Sequence, residues 1–154
     1  MKRNLRLRRS WRILGAFYLP GDVFGFEADD EHSFSTEALT PSVVCIVKRT
    51  LINSRAARDT VMVSQLLKLT VAELHRTQNH ILLMIKGAHE RVAGFLLEMA
   101  NRNHSNSEIE LPMCRQDIAD YLGLTIETVS RTLTRLENGS AISLLTSRHI
   151  VLRN

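Results

Sequence analysis

Several functional classes are poorly provided for in this chain of 154 residues. Two cysteines, Cys45 and Cys114, form no CxxC pair, so they lend no support to a zinc site and fit a reducing compartment. No apolar run approaches the ~20 residues that a membrane-spanning helix requires. The charged N-terminus is followed by no hydrophobic stretch, so it does not read as a secretory signal, and a cytoplasmic location is expected. There is no GxSxG, no P-loop, no metal-spaced His/Cys set and no pair of catalytic carboxylates, and the six histidines are scattered. An enzyme is therefore not expected, nor is a metal or a cofactor. Internal repeats and low-complexity tracts are also missing.

What is present suits one ordinary domain or two small ones. Hydrophobic residues at 44% can build a core, and 23% charged residues argue against disorder. The formal charge of +4 is compatible with a polyanionic partner but too small to identify one. Its distribution is uneven. The first twelve residues hold Lys2, Arg3, Arg6, Arg8, Arg9 and Arg12 with no acid, whereas 110–154 hold five arginines against five acids.

The most informative stretch is 114–137, CRQDIADYLGLTIETVSRTLTRLE. Ile118, Ala119 and Leu122 share one face of a short helix, and Gly123 permits a tight corner. Thr125 then offers an N-cap, and Val129, Leu133 and Leu136 form the apolar stripe of a second helix. Glu127, Ser130 and Arg131, at i, i+3 and i+4, share a different face near its start. Two readings fit these residues: a structural helical hairpin, or a helix-turn-helix whose second helix enters the DNA major groove. Ile142–Thr146 and His149–Leu152 add two short β-like segments, which turns the second reading into a winged helix-turn-helix.

Upstream, 10–49 look β-like. Trp11–Leu19, Val23–Phe26, Ser33–Leu39 and Val43–Val47 are strand candidates, separated by Pro20-Gly21, by an acidic loop Glu27–Glu31 and by Thr40-Pro41-Ser42. From about residue 50 the period becomes helical. Val63, Leu67, Thr70, Leu74, Thr77, Ile81 and Met84 step by four and three, as in a coiled-coil seam. They fit either a parallel dimer or a helix packed on its own domain. Gly87 interrupts, and Glu90–Arg102 makes another amphipathic helix through Val92, Phe95, Leu96 and Met99.

This order of parts resembles the Crp/Fnr family of bacterial transcription regulators, and within it the FixK-like branch. The resemblance is carried by FYLPGDVFGFE (Phe17–Glu27), SVVCIVKRTLI (Ser42–Ile52), LPMCRQDIADYLGLTIETVSRTLTRL (Leu111–Leu136) and HIVLRN at the C-terminus. It implies an α+β fold: a cyclic-nucleotide-binding-like β-roll, a long dimerisation helix and a C-terminal winged helix-turn-helix. The expected division is 1–49 for a partial β-roll, 50–86 for the dimerisation region and 87–154 for the DNA-binding domain. The resemblance also implies a homodimer on a palindromic operator with TTGAT-like half-sites, and RNA polymerase as a further partner. Carried over by position, Glu127, Ser130 and Arg131 match base-reading residues. Glu127 suits cytosine N4 and Arg131 suits guanine O6 and N7. Arg115 and Thr128 match phosphate-contacting positions.

The chain also departs from the family pattern. Only about sixteen residues precede Phe17, where relatives have several more strands, so the roll is expected to be incomplete. On that view the basic N-terminal segment is a solvated remnant. Phe26 and His32-Ser33 stand where cyclic-nucleotide binders place a Glu and an Arg-Ser pair, so no cyclic nucleotide is expected. Cys45 resembles the position of an iron–sulfur ligand, but three partner cysteines are missing, and a small buried hydrophobe in a strand is the expected role. Cys114 occupies a helix N-cap, where many relatives have Thr, with Asp117 three residues on. A helix N-terminus and adjacent Arg115 favour a thiolate there, which makes Cys114 a candidate redox switch. Thr132 replaces a usual apolar residue, and Ser140-Ala141 replaces a Gly-apolar pair before the wing, with Gly139 one position early. A second functional reading is a truncated interaction protein that heterodimerises with a full-length relative and titrates it.

Overall fold

The computed structural model describes residues 1–6, 12–26, 32, 34–103 and 107–153. The chain forms two compact units, Met1–Thr40 together with Leu83–Asn154, and Pro41–Leu82. This grouping differs from the expected three-part division, because the N-terminal strands pack into the same unit as the C-terminal helices.

In the first unit, β1 (Lys2–Arg6) lies between β2 (Arg12–Phe17) and β3 (Ser35–Glu37) in an antiparallel sheet. Lys2 is paired with Phe17 on one side and with Glu37 on the other, and a bulge falls between Arg3 and Asn4. The expectation of a solvated basic remnant is therefore corrected at its first residues. β1 is the central strand of its sheet, and Lys2 is buried. Arg8 and Arg9, like the acidic loop 27–31, lie outside the described residues.

Three helices and a second sheet complete this unit. α3 (Ala88–Arg102) follows Gly87, whose N–H donates to Glu90 Oε2 at 3.0 Å, the half of a capping box that needs no cap side chain. Val92, Phe95, Leu96 and Met99 recur at helical spacing and are all buried. They meet Ile118, Ala119 and Leu122 of α4 (Arg115–Leu122) and Val129, Leu133 and Leu136 of α5 (Ile126–Asn138) in one core. Leu14 and Phe17 of β2 belong to that core as well. The rings of Phe17, Phe95 and Tyr121 make tilted contacts with centroids 5.1–6.0 Å apart, so sheet, α3 and α4 converge on one aromatic cluster. A Cβ on Gly94 would come within 2.7 Å of Leu83 Cδ1, so this glycine permits close packing on α3.

The second sheet runs β4–β6–β5, from β4 (Glu108–Glu110), β5 (Ile142–Leu144) and β6 (His149–Leu152). The two expected segments are there, and β4 adds a third strand, with Ile109 opposite Ile150 and both fully buried. Thr132, in an apolar position of the pattern, is 8% exposed and joins the buried face of α5.

The second unit is different. α1 (Arg49–Ala56) buries no side chain, and in α2 (Thr60–Met84), 25 residues long, only Leu83 is buried, which belongs to the first unit. Val43–Val47 is not a strand: Val43, Val44, Ile46 and Val47 are exposed in irregular backbone, as is Cys45. The expected buried-strand role of Cys45 is thereby corrected. A strand exists only through pairing, and this stretch has no pairing neighbour among the described residues. The same holds for Val23–Phe26, where Phe24 instead stacks on Tyr18 at 5.0 Å.

Candidate nucleic-acid interface

The helix pair is assembled from local signals. Cys114 occupies the N-cap of α4 in extended conformation, and Asp117 Oδ2 accepts from its backbone N–H at 3.3 Å. The Cys114 thiol donates to the same oxygen at 3.2 Å. Gly123 terminates α4 at φ +61°, in the left-handed region that favours glycine, and Leu124 N–H closes the turn on Ala119 O at 2.9 Å. Arg91 of α3 reaches across to Leu122 O at 3.1 Å while its Nε donates to Lys86 O at 2.8 Å. It satisfies a carbonyl that the helix end leaves without an intrahelical partner. Spacing alone gave no hint of this strut.

Thr125 caps α5 by accepting from Thr128 N–H at 3.2 Å, and the two hydroxyls lie 3.1 Å apart. Beyond the cap the helix has two distinct faces. Val129, Thr132, Leu133 and Leu136 are buried, while Glu127, Ser130 and Arg131 are exposed in its first half. The Glu127 carboxyl is held below the usual carboxylate range by backbone N–H at the helix start, then by the Thr125 hydroxyl, with the Arg131 charge adding to both. It therefore stays an acceptor at neutral pH. Arg115, at the first position of α4, is half-buried, and burial lowers its pKa from the ordinary arginine value. Thr128 is likewise half-buried.

The wing is tied to the same body. Leu144 N–H donates to Glu137 Oε1 at 3.0 Å, which links β5 to the end of α5. At its tip, Thr146 Oγ1 accepts from Arg148 N–H at 3.2 Å and His149 N–H at 2.9 Å. Ser140 enters the wing at φ +58°, whereas Gly139 has an ordinary φ of −79°.

Of the seam residues, Val63, Leu67, Thr70, Leu74, Thr77 and Ile81 are exposed along α2. Thr70 and Thr77 donate their hydroxyls back to Leu66 O and Glu73 O at 2.9 and 3.0 Å, so neither places an unsatisfied donor in the stripe. Met84 is placed apart from them, partly buried against the core, with Sδ 3.8 Å from where a Gly123 Cβ would stand. Among the described residues no group of three or more His, Cys, Asp or Glu side chains could hold a metal ion, and no helix is long and apolar enough to cross a membrane.

A recognition-type helix with a capped, polar N-terminal face, a glycine-cornered partner helix and a three-stranded wing define a winged helix-turn-helix protein. Comparison with known proteins places it further. Residues 90–154 match the Crp-like helix-turn-helix domain. The chain is 48% identical to a nitrogen fixation regulation protein FixK of Azorhizobium caulinodans over 93% of its own length and 60% of that protein's. It is 35% identical to the fumarate and nitrate reduction regulatory protein of Vibrio cholerae, over 90% of this chain and 58% of that protein. Among solved structures, FixK2 from Bradyrhizobium japonicum superposes with a TM-score of 0.88 at 41% identity, over 99% of this chain and 78% of that one. The chain belongs to the Crp/Fnr family, in its FixK-like branch. It spans about 60% of the length of the curated relatives it matches.

Proposed function

We propose that this chain is a sequence-specific DNA-binding transcription regulator of the Fnr/FixK type, working as a homodimer on a TTGAT-like palindrome and performing no catalysis. The observation that carries the reading is the polar face of α5, where Glu127, Ser130 and Arg131 stand exposed directly after the Thr125 cap. Glu127, held ionised, accepts from cytosine N4, Arg131 donates a bidentate pair to guanine, and Ser130 is small enough to approach a base closely. Arg115 and Thr128 sit at the starts of α4 and α5, where side chains and helix dipoles meet phosphates without reading sequence. The expected location is the cytoplasm, with RNA polymerase as the partner through which binding changes transcription.

Charge balance makes the dimer necessary. Five arginines against five acids in 110–154 give one winged helix little general attraction for DNA. The exposed α2 stripe supports pairing with a second copy, which would place two readers on two half-sites. The same stripe also favours the second reading, in which the chain pairs with a full-length relative and titrates it. A gel-shift titration on an FNR-type palindrome, with solution mass measured alongside, separates the two. Tight binding as a homodimer supports the regulator; heterodimers with negligible binding by the chain alone support the titrating protein. Cys114 is proposed as a redox switch beside the phosphates. Operator binding unchanged by peroxide while Cys114 is demonstrably oxidised would dismiss that role.

A further inference from the structure

Lys2 is an unusual residue for a basic N-terminal segment. It is 4% exposed, and its Nζ lies 2.5 Å from Asp117 Oδ1, with Asp117 also 4% exposed. The Glu37 carboxylate, from the neighbouring strand, stands 3.7 Å from the same ammonium. A lysine and an aspartate separated by 115 positions thus meet in the interior, between the sheet and the first turn of α4. Burial of this kind is costly unless the pair is close and otherwise satisfied, so a pair kept here has a geometric consequence.

The consequence lies in what Asp117 does with its other oxygen. Oδ2 accepts from the Cys114 N–H and Sγ, closing the N-cap of α4. Lys2 therefore holds one oxygen while the other fixes the cap, and the carboxylate has little freedom left. Between the two anchored residues stands Arg115, the first residue of α4. Burial opposes ionisation of Asp117, but the hydrogen bonds from Lys2 and Cys114 outweigh it and hold its pKa below the ordinary value.

A second tether runs parallel to the first. Arg102, at the end of α3, donates through Nη1 to Phe17 O at 3.0 Å and through Nη2 to Asp22 Oδ2 at 2.5 Å. Asp22 also accepts from Leu19 N–H at 2.8 Å, so the turn after β2 is fastened to the helix. Together with the Phe17–Phe95–Tyr121 cluster, the two tethers fix the sheet against α3 and α4 at separate points.

We infer that Lys2 is a positioning residue for DNA binding: through Asp117 it fixes the N-terminus of α4, and so the direction in which Arg115 is presented to a phosphate. The inference rests on the DNA-binding reading above. It assigns the N-terminal strand a role in operator affinity without a DNA contact of its own. Neutralising Lys2 weakens the phosphate contact and leaves base discrimination alone, because Glu127, Ser130 and Arg131 lie on the other helix.

Two variants of the full chain test this, Lys2→Met and the double variant Lys2→Met/Asp117→Asn. The double variant leaves no buried charge, and its Asn oxygen can still cap Cys114, so it keeps the fold if the single variant does not. The tether predicts that the double variant binds the palindrome roughly 3–10-fold more weakly than wild type. The slope of log affinity against log salt should become shallower by about 0.9 per half-site, the value for one lost phosphate contact. The ratio of operator to scrambled-site affinity should stay unchanged. Wild-type affinity and slope in the double variant would overturn the inference, and so would a weakened affinity with an unaltered slope. Amide exchange over 115–120 reads the tether without DNA and should be several-fold faster in the double variant. If wild type itself binds no palindrome, the DNA-binding reading fails and the role in operator affinity falls with it. Unchanged exchange, by contrast, removes the tether whatever the DNA result.

Discussion

The two units of this chain draw on similar apolar material and use it in opposite ways. Every buried apolar side chain among the described residues lies in Met1–Thr40 or Leu83–Asn154, and none lies in 41–82. The second unit instead exposes Val43, Ile46, Leu67, Leu74, Ile81 and other large apolar residues, several more than half accessible. A 25-residue helix with one buried side chain gains little from its own chain, since helices in water are held mainly by packing of an apolar face. Apolar stripes of this extent mark interaction sites. One unit buries its apolar side chains in a core; the other leaves them exposed.

The largest expected effect attacks the second unit. Leu67→Glu with Leu74→Glu should convert the protein to single chains in sedimentation experiments. Operator affinity should fall on the order of 100-fold or more, because two linked readers gain about 10²–10⁴ over one. Thermal unfolding of the first unit should hardly change, since neither residue belongs to its core. A comparable loss of its stability would break the division between the units.

Next comes the interior of the first unit. Lys2→Met leaves Asp117 buried without its cation and should cost about 3–5 kcal/mol in denaturant unfolding at pH 7. The pH dependence has a definite sign. Asp117 has a lowered pKa in the folded state, so its contribution is present above the ordinary aspartate value and is lost as pH falls through the folded one. Wild type and Lys2→Met should therefore converge in stability only once pH has fallen below the ordinary aspartate value and through the lowered folded one, where a protonated Asp117 no longer needs a cation. A gap that stays constant from pH 7 to pH 3 would show that the ammonium stabilises by packing and not by charge.

The polar face of α5 comes third. Arg131→Ala should cost about 1–3 kcal/mol on the cognate palindrome and almost nothing on a scrambled one, measured by competitive gel shift. Equal losses on both would make Arg131 a phosphate contact. Stability should be untouched, because the side chain is exposed.

How much of this was legible in the sequence depends on the range of the signal. The helix pair, its Gly123 corner, the Thr125 cap and the β5–β6 hairpin are local patterns, and they stand where spacing put them. β4 was missed because Glu-Ile-Glu offers one apolar residue, too short for period-two alternation to register. Val43–Val47 has strand composition, yet composition cannot supply a neighbour to pair with. The burial of Lys2 is illegible in the sequence for a related reason. Six basic residues in the first twelve look like a solvated remnant, and nothing near them in sequence announces an aspartate 115 positions away. The polar face of α5 was readable because exposure follows from helical period; the burial of an ion pair follows only from the fold.

The smallest effect concerns the entry to the wing. Ser140 adopts φ +58°, where a Cβ crowds the backbone, at a cost of about 1–2 kcal/mol for a residue other than glycine. Gly139, next to it, adopts φ −79°, which any residue accepts, although an added Cβ would stand 3.3 Å from Arg135 O. The glycine thus sits one position from where the backbone uses it. Ser140→Gly should raise the stability of the first unit by about 1 kcal/mol, and Gly139→Ala should move it by less, its entropic gain set against the close carbonyl. Thermal unfolding of both variants and of their combination gives the answer. Since β5 is also held through Leu144 N–H on Glu137, relief of strain at Ser140 should leave the wing in place and operator affinity unchanged. A stabilised variant that binds DNA less well would mean that the strained corner itself aims the wing.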